Sequence, residues 1–145
     1  NASTFRPTCN ISRSIVALIF SLVDTFDNIV EIGGGYGNWL RLNNDIVKFN
    51  KWSIIDLPFV GDLQKWYLTK LEINSDNIEF ISEYSYNKWA KKSTNFDLVI
   101  GAHSLSEISW KDFIRYFDNV LKKTKYLLQK YLSAYKGFFS FLMNR

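Results

Sequence analysis

Four of the 7 glycines in the chain crowd into five residues: Gly33, Gly34, Gly35 and Gly37. They follow the apolar run Asn28 to Ile32, in which Glu31 is the one acidic residue, and precede Asn38-Trp39-Leu40. Glycines at such a place let the backbone turn tightly and let a ligand lie close against the main chain. A plain tight turn needs one or two of them. Asp56 stands 19 residues beyond Gly37, closing the run Trp52-Ser53-Ile54-Ile55 just ahead of Leu57-Pro58. A carboxylate there can accept two hydroxyls through its two oxygens; a turn residue before Pro58 is the other reading. His103 is the only histidine, and its ordinary pKa of about 6.5 suits a base near neutrality. It could equally be hydrogen-bonded into its own loop or touch a bound cofactor. Glu107 is four residues on. If 104–108 are helical the two share a face, and the carboxylate can orient the imidazole or simply sit as an acid at a helix start.

The glycines do not match the phosphate-cradling pattern G-x-G-x-x-G. Starting from Gly33 and Gly35, the third position is Asn38; starting from Gly35 and Gly37, it is Leu40. Acidic-x-G-x-G-x-G does fit, as Glu31, Gly33, Gly35 and Gly37. No Asp, Glu and His residues share metal-ligand spacing, and one cysteine with one histidine argues against structural zinc, so no metal is expected.

These residues need a scaffold, and short apolar runs supply one. Asn28 to Ile32, Trp52 to Ile55, Ile78 to Ile81 and Phe96 to Ile100, with a weaker Tyr126-Leu127-Leu128, read as strands buried on both faces of a parallel sheet. Between them, Asp62 to Leu71 reads as a helix turning Leu63, Trp66, Tyr67 and Leu71 inward. Ser109 to Leu121 reads as another, with Trp110, Phe113, Ile114, Phe117 and Leu121 at helical spacing, Ser109 as N-cap and Asp112 in the first turn. Strands alternating with helices predict a doubly wound α/β sheet.

With 145 residues and 47% hydrophobic content, the chain reads as one domain: a helical segment over 1–27, a core over 28–128 and a basic, aromatic tail over 129–145. Cys9 alone cannot form an internal disulfide, which points to the cytoplasm. The longest apolar stretch, Ile15 to Val23, falls well short of the ~20 residues that span a bilayer. Asp24 follows it with no small-residue cleavage site, so it reads as a buried amphipathic helix and not a signal peptide. The first residue is Asn1, which reads as a fragment or a processed product. Residues 1–110 carry 10 basic and 12 acidic side chains, whereas residues 111–145 carry 8 and 2. That basic excess reads as a solvated helix face, or as a surface for phosphate or anionic lipid.

The segments Glu31-Ile32-Gly33-Gly34-Gly35-Tyr36-Gly37, Ile55-Asp56-Leu57-Pro58 and His103-Ser104-Leu105-Ser106-Glu107 together resemble class I S-adenosylmethionine-dependent methyltransferases, and within them the sugar O-methyltransferase family. The resemblance covers roughly residues 28–128. It implies that Glu31 organises the loop and the site for the methionine amino group. It implies that Gly33, Gly34, Gly35, Tyr36 and Gly37 pass beneath S-adenosylmethionine, and that Asp56 takes the ribose. Leu57, Ala102 and Ser82, the last in the loop over Ser82 to Tyr84, would lie near the remainder of the cofactor. His103 and Glu107 would face the methyl group. The implied acceptor is a small-molecule hydroxyl, on a sugar. A nucleic-acid methyltransferase and a non-catalytic interaction domain are the alternatives; the sequence Gly101-Ala102-His103-Ser104 lacks the N/D-P-P-Y of amino-methylating enzymes. Only 17 residues follow Leu128, too few for a helix and two more strands. The sheet is therefore expected to lack its last strands, and the tail either to cover the open edge of its own sheet or to pack against a second copy, giving a homo-oligomer through the fifth-strand edge or the tail.

Overall fold

Five strands lie side by side in a computed structural model that describes residues 25–93, 95–101 and 104–128. They are β1 (Phe26–Ile32), β2 (Phe49–Asp56), β3 (Ile78–Ser82), β4 (Phe96–Ile100) and β5 (Thr124–Leu128). Their order is β3-β2-β1-β4-β5, and each neighbouring pair is parallel. Helices α1 (Asn38–Asn43), α2 (Pro58–Lys70), α3 (Tyr86–Lys92), α4 (Ser104–Glu107) and α5 (Trp110–Asn119) fill the connections. The strands thus alternate with helices as expected, and the five described strands form an all-parallel, Rossmann-like sheet.

The apolar runs are continuous because both faces of the central strands are covered. On one face Val30, Ile32, Ile55 and Val99 pack with Tyr86 and Ala90 of α3 and with Phe113 and Tyr116 of α5. On the other, Ile29, Trp52, Ile54, Leu98 and Ile100 pack with Leu40 of α1 and Leu68 of α2. The strands reach further than the runs that announced them. β1 starts at Phe26, which pairs with Phe49 of β2, and β2 continues to Asp56. β3, an outer strand of the described sheet, is only half-buried along its length.

Two helix readings change. α2 begins at Pro58, one turn before Asp62, because proline suits a first helical turn. Its inward face is also different: Leu63, Trp66 and Leu71 are 47%, 59% and 43% exposed, while Gln64 and Leu68 are buried. A polar residue takes an inward position there because it is needed beneath the glycine turn, as described below. In α5 the cap is as expected, with the Asp112 N–H donating to Ser109 Oγ. Phe113 and Tyr116 are the buried pair, Trp110 is exposed, and Leu121 is buried in the 3-10 turn Leu121–Lys123 beyond the helix.

At the N-terminal end of the sheet, Asp97 accepts the backbone N–H groups of Asp27 (2.7 Å) and Asn28 (3.1 Å) and the Lys125 ammonium (2.6 Å). One carboxylate therefore ties β1, β4 and β5 together. No helix among the described residues is long and apolar enough to cross a membrane. The expected 1–27 helical segment is outside the described residues except for its last three, and the 129–145 tail is wholly outside them.

Candidate functional site

The turn after β1 is held from both ends. The Gly33 N–H donates to the Ile55 carbonyl (2.9 Å) and the Gly37 N–H to the Gly34 carbonyl (2.9 Å). Gly33 has φ +69°, and a Cβ there would lie 2.3 Å from the Cβ of Ser104 at the start of α4. Ser104 Oγ donates to the Ile32 carbonyl, so β4's outgoing helix is seated directly on the turn. Gly35 has φ +58°, but a Cβ there would meet nothing within 4 Å among the described residues. Glycine at Gly33 admits a neighbouring element; at Gly35 it leaves the backbone bare toward open space.

Beneath the turn lies Glu31, 1% exposed between Ile54 and Ile100 in the strand register. Trp52 Nε1 donates to its Oε2 at 3.1 Å, and its Oε1 has no partner. Burial pushes the carboxyl up to about 8, against the Trp52 hydrogen bond and with a further push from Asp56. A Cβ on Gly34 would lie 3.3 Å from both Glu31 Cδ and Gln64 Nε2, so these two groups form the floor of the turn. Gln64, fully buried on α2, donates from Nε2 to the Gly35 carbonyl (2.8 Å) and to Asp56 Oδ2 (3.0 Å). It ties the glycine turn to the acid at the end of β2. Asp56 Oδ1 accepts the Leu57 N–H at 2.8 Å. Burial raises the pKa of this half-buried carboxyl more than its hydrogen bonds from Leu57, the turn and Gln64 lower it.

A cavity of about 470 Å³ opens above these residues. Gly33, Gly35, Asp56 and Leu57 form one wall, and Glu83, Ser104, Glu107, Ile108, Asp112 and Tyr116 the other. Of the residues expected from the sequence, Gly33, Gly35, Asp56, Leu57 and Glu107 therefore meet around one space. Glu31 and Gly34 lie behind it. Gly37 begins α1 with φ +87°, and Tyr36 is half exposed, packed edge-on against Tyr67 at 5.2 Å. Ser82 lines a smaller adjoining recess of about 150 Å³ with Asp56, Leu57 and Gly61. Ala102 and His103 lie outside the described residues. Sequence reasoning missed Gln64, Ser104 and Tyr116. The only available signal was a glutamine interrupting an apolar helix stripe. Among the described residues no group of three His, Cys, Asp or Glu side chains could hold a metal ion.

No family model matches the chain, and no curated protein sequence does. Solved structures do match. A mitomycin 7-O-methyltransferase is 19% identical with TM-score 0.54, over 69% of this chain and 28% of its own. A precorrin 8w decarboxylase from Methanobacterium thermoautotrophicum is 17% identical with TM-score 0.62, over 99% of this chain and 75% of its own. The methyltransferase domain of a bacterial Hen1 protein is 14% identical with TM-score 0.62, over 83% of this chain and 65% of its own. The chain thus spans from about a quarter to three quarters of the length of these proteins. Its fold is that of the class I methyltransferases.

Proposed function

We propose that the cavity above the glycine turn binds S-adenosylmethionine and that the chain serves methyl transfer to a small-molecule hydroxyl, on a sugar. One observation carries this reading: the bare backbone of Gly35 and the half-buried carboxylate of Asp56 border the same open cavity. A cofactor with an unbranched backbone-hugging chain and a ribose fits such a pair, and no phosphate is required of the turn. Gly33 and Gly35 would lie under the cofactor, Asp56 would accept its ribose hydroxyls, and Leu57 and Ser82 would border its base. Glu31, Gly34, Tyr36 and Gly37 would act through the loop they shape. When bound, the cofactor supplies a methyl group activated by a positively charged sulfur. The chain must then hold the acceptor in line and take up its proton. His103 is the proposed base, with Ala102 beside the cofactor and Glu107, which lines the cavity, orienting the imidazole. A cytoplasmic setting accompanies this reading, resting on the single Cys9. Self-association is proposed at the β5 edge, where Tyr126 is exposed.

Isothermal titration with S-adenosylmethionine, S-adenosylhomocysteine and NAD tests the reading. The first two should bind and NAD should not. Asp56→Ala should weaken binding about tenfold or more, because hydrogen bonds to a charged group contribute roughly 1.5–3 kcal/mol. Equal binding of NAD, or a change below about twofold in Asp56→Ala, would overturn it.

A further inference from the structure

Helix α2 carries an apolar stripe on the face turned away from the sheet. Phe59, Leu63 and Trp66 stand at i, i+4 and i+7 and are 70%, 47% and 59% exposed, opposite the buried Gln64 and Leu68. The stripe continues toward the glycine turn. Tyr67 lies one helical turn beyond Leu63, and its ring meets exposed Tyr36 edge-on at 5.2 Å. Beneath, α2 packs on β2 and β3. Apolar spacing of this kind marks a helix side that another element covers, and a contiguous exposed apolar patch marks an interaction site. The charges bordering the stripe are ordered along the helix. Asp62 stands in its N-terminal half, 79% exposed at its side chain, with a 3.5 Å contact to Lys65. Lys65 leans away from the stripe, its ammonium 5.5 Å from the centre of the Phe80 ring on β3. Lys70 ends the helix, exposed, with no ion-pair partner among the described residues.

We propose that this face of α2 seats the same helix of a second copy of the chain, antiparallel, about a two-fold axis level with Gln64 and Lys65. The order of residues along the helix selects that occupant. In an antiparallel pair centred there, Leu63 meets the partner's Trp66, and Trp66 meets the partner's Leu63, because the two stand equally far from the centre. Phe59 meets the stem and ammonium of the partner's Lys70. Asp62 lies within one helical turn of that same ammonium. Each contact occurs twice, so the half of each helix that carries Asp62 faces the half of the other that carries Lys70, and the two helix dipoles oppose. A parallel pair would set Asp62 against the partner's Asp62 and Lys70 against the partner's Lys70, which repel. A contact along 13 residues of helix runs for about 20 Å. That is the small end of specific interfaces, so the dimer forms and parts with concentration in the micromolar range. The surface lies over the β2–β3 end of the sheet, at the other end from the β5 edge.

Sedimentation velocity of the full chain, from low to several hundred micromolar, tests this. The chain should pass from monomer to dimer across that range. Trp66→Glu should keep it monomeric throughout while leaving the melting temperature of the dilute monomer unchanged, since the side chain stands at the surface. A charge exchange then tests the register. Asp62→Lys and Lys70→Asp should each weaken dimerisation about fivefold or more, because each turns two facing ion pairs into like charges. The double variant should regain most of the loss, because the exchanged charges meet again across the axis. A substitution that merely damages the helix is not rescued by its counterpart. Three results would overturn the inference. A monomer at every concentration would mean that the stripe is bare or covered by something other than a second copy. A dimer untouched by Trp66→Glu would mean that the β5 edge or the tail holds the copies together. A double variant as weak as the single ones would mean that the helices do not meet antiparallel in this register.

Discussion

The two sides of the glycine turn are built on opposite principles. The underside is dry and closed: Gly34 rests on Ile54, Gln64 and Glu31, and Trp52 and Leu68 pack around them. The upper side is open, and its polar groups are carboxylates and hydroxyls. The difference separates glycines that look alike in sequence. Gly33 is required by a packed neighbour, Gly34 by the floor, and Gly35 by its left-handed φ of +58° alone, since no atom of the described residues would meet a side chain there. A glycine whose missing side chain leaves open space is the one that speaks of a ligand.

The sharpest way to break this comparison is to put the same methyl group on both residues. Gly33→Ala must drive a Cβ into Ser104 in a left-handed conformation. Strain of about 1–2 kcal/mol and overpacking of about 1–3 kcal/mol together should lower the melting temperature by roughly 5–20 °C. Gly35→Ala should suffer the conformational strain alone, roughly a third to a half of that loss, yet lose S-adenosylhomocysteine affinity in titration. Equal melting losses would mean that the two glycines serve the same purpose.

Next in size is the floor. The Glu31 carboxyl, with an ordinary value of 4.5, is pushed to about 8 in the folded chain. The unfolded chain releases this proton first, so the folded state binds more protons in between. The stability from this group is complete below pH 4.5 and is lost as pH rises to about 8. Glu31→Gln keeps an oxygen for the Trp52 N–H and removes the titration. The stability gap between wild type and variant, measured by urea unfolding at about pH 5 and about pH 9, should swing by a few kcal/mol in the variant's favour. A gap that does not change with pH would show that Glu31 is solvated, and that the underside is not dry.

The smallest effect belongs to the residue joining the two sides. Gln64→Met fills the same space but leaves Asp56 Oδ2 and the Gly35 carbonyl without their donor. It also removes the unpartnered Oε1, which offsets part of the loss. A net destabilisation of about 1 kcal/mol is expected, together with severalfold weaker cofactor binding. An unchanged affinity would show that Asp56 is positioned by its own Leu57 N–H alone.

The strands were legible because a parallel sheet covered on both faces writes itself as unbroken apolar runs, and Glu31, the glycines and Asp56 were legible because they follow strand ends. The inward face of α2 was not. Leu63 and Trp66 have the periodicity of a buried stripe, yet it is Gln64, aimed at a carbonyl and a carboxylate, that faces inward. Periodicity ranks side chains by oil-likeness and cannot register a polar group recruited by a backbone turn 29 residues earlier. Tyr116 and Ser104 escaped for the same reason: nothing local to them announces a cavity formed by distant segments.

The seating of Ser104 on the Ile32 carbonyl bridges 72 positions of the chain. A chain emerging from the ribosome can pair β1, β2 and β3 before β4 exists, since domains fold as their segments become available. The glycine turn is then already made, but one wall of its cavity is not. Apart from Glu83, that wall arrives only after β4, with α4 and α5, a contact of long range and hence slow to close. Ligand capture by a nascent chain would therefore mark the completion of folding and not its beginning, and a ligand present during synthesis would act as a clasp on the last element to dock.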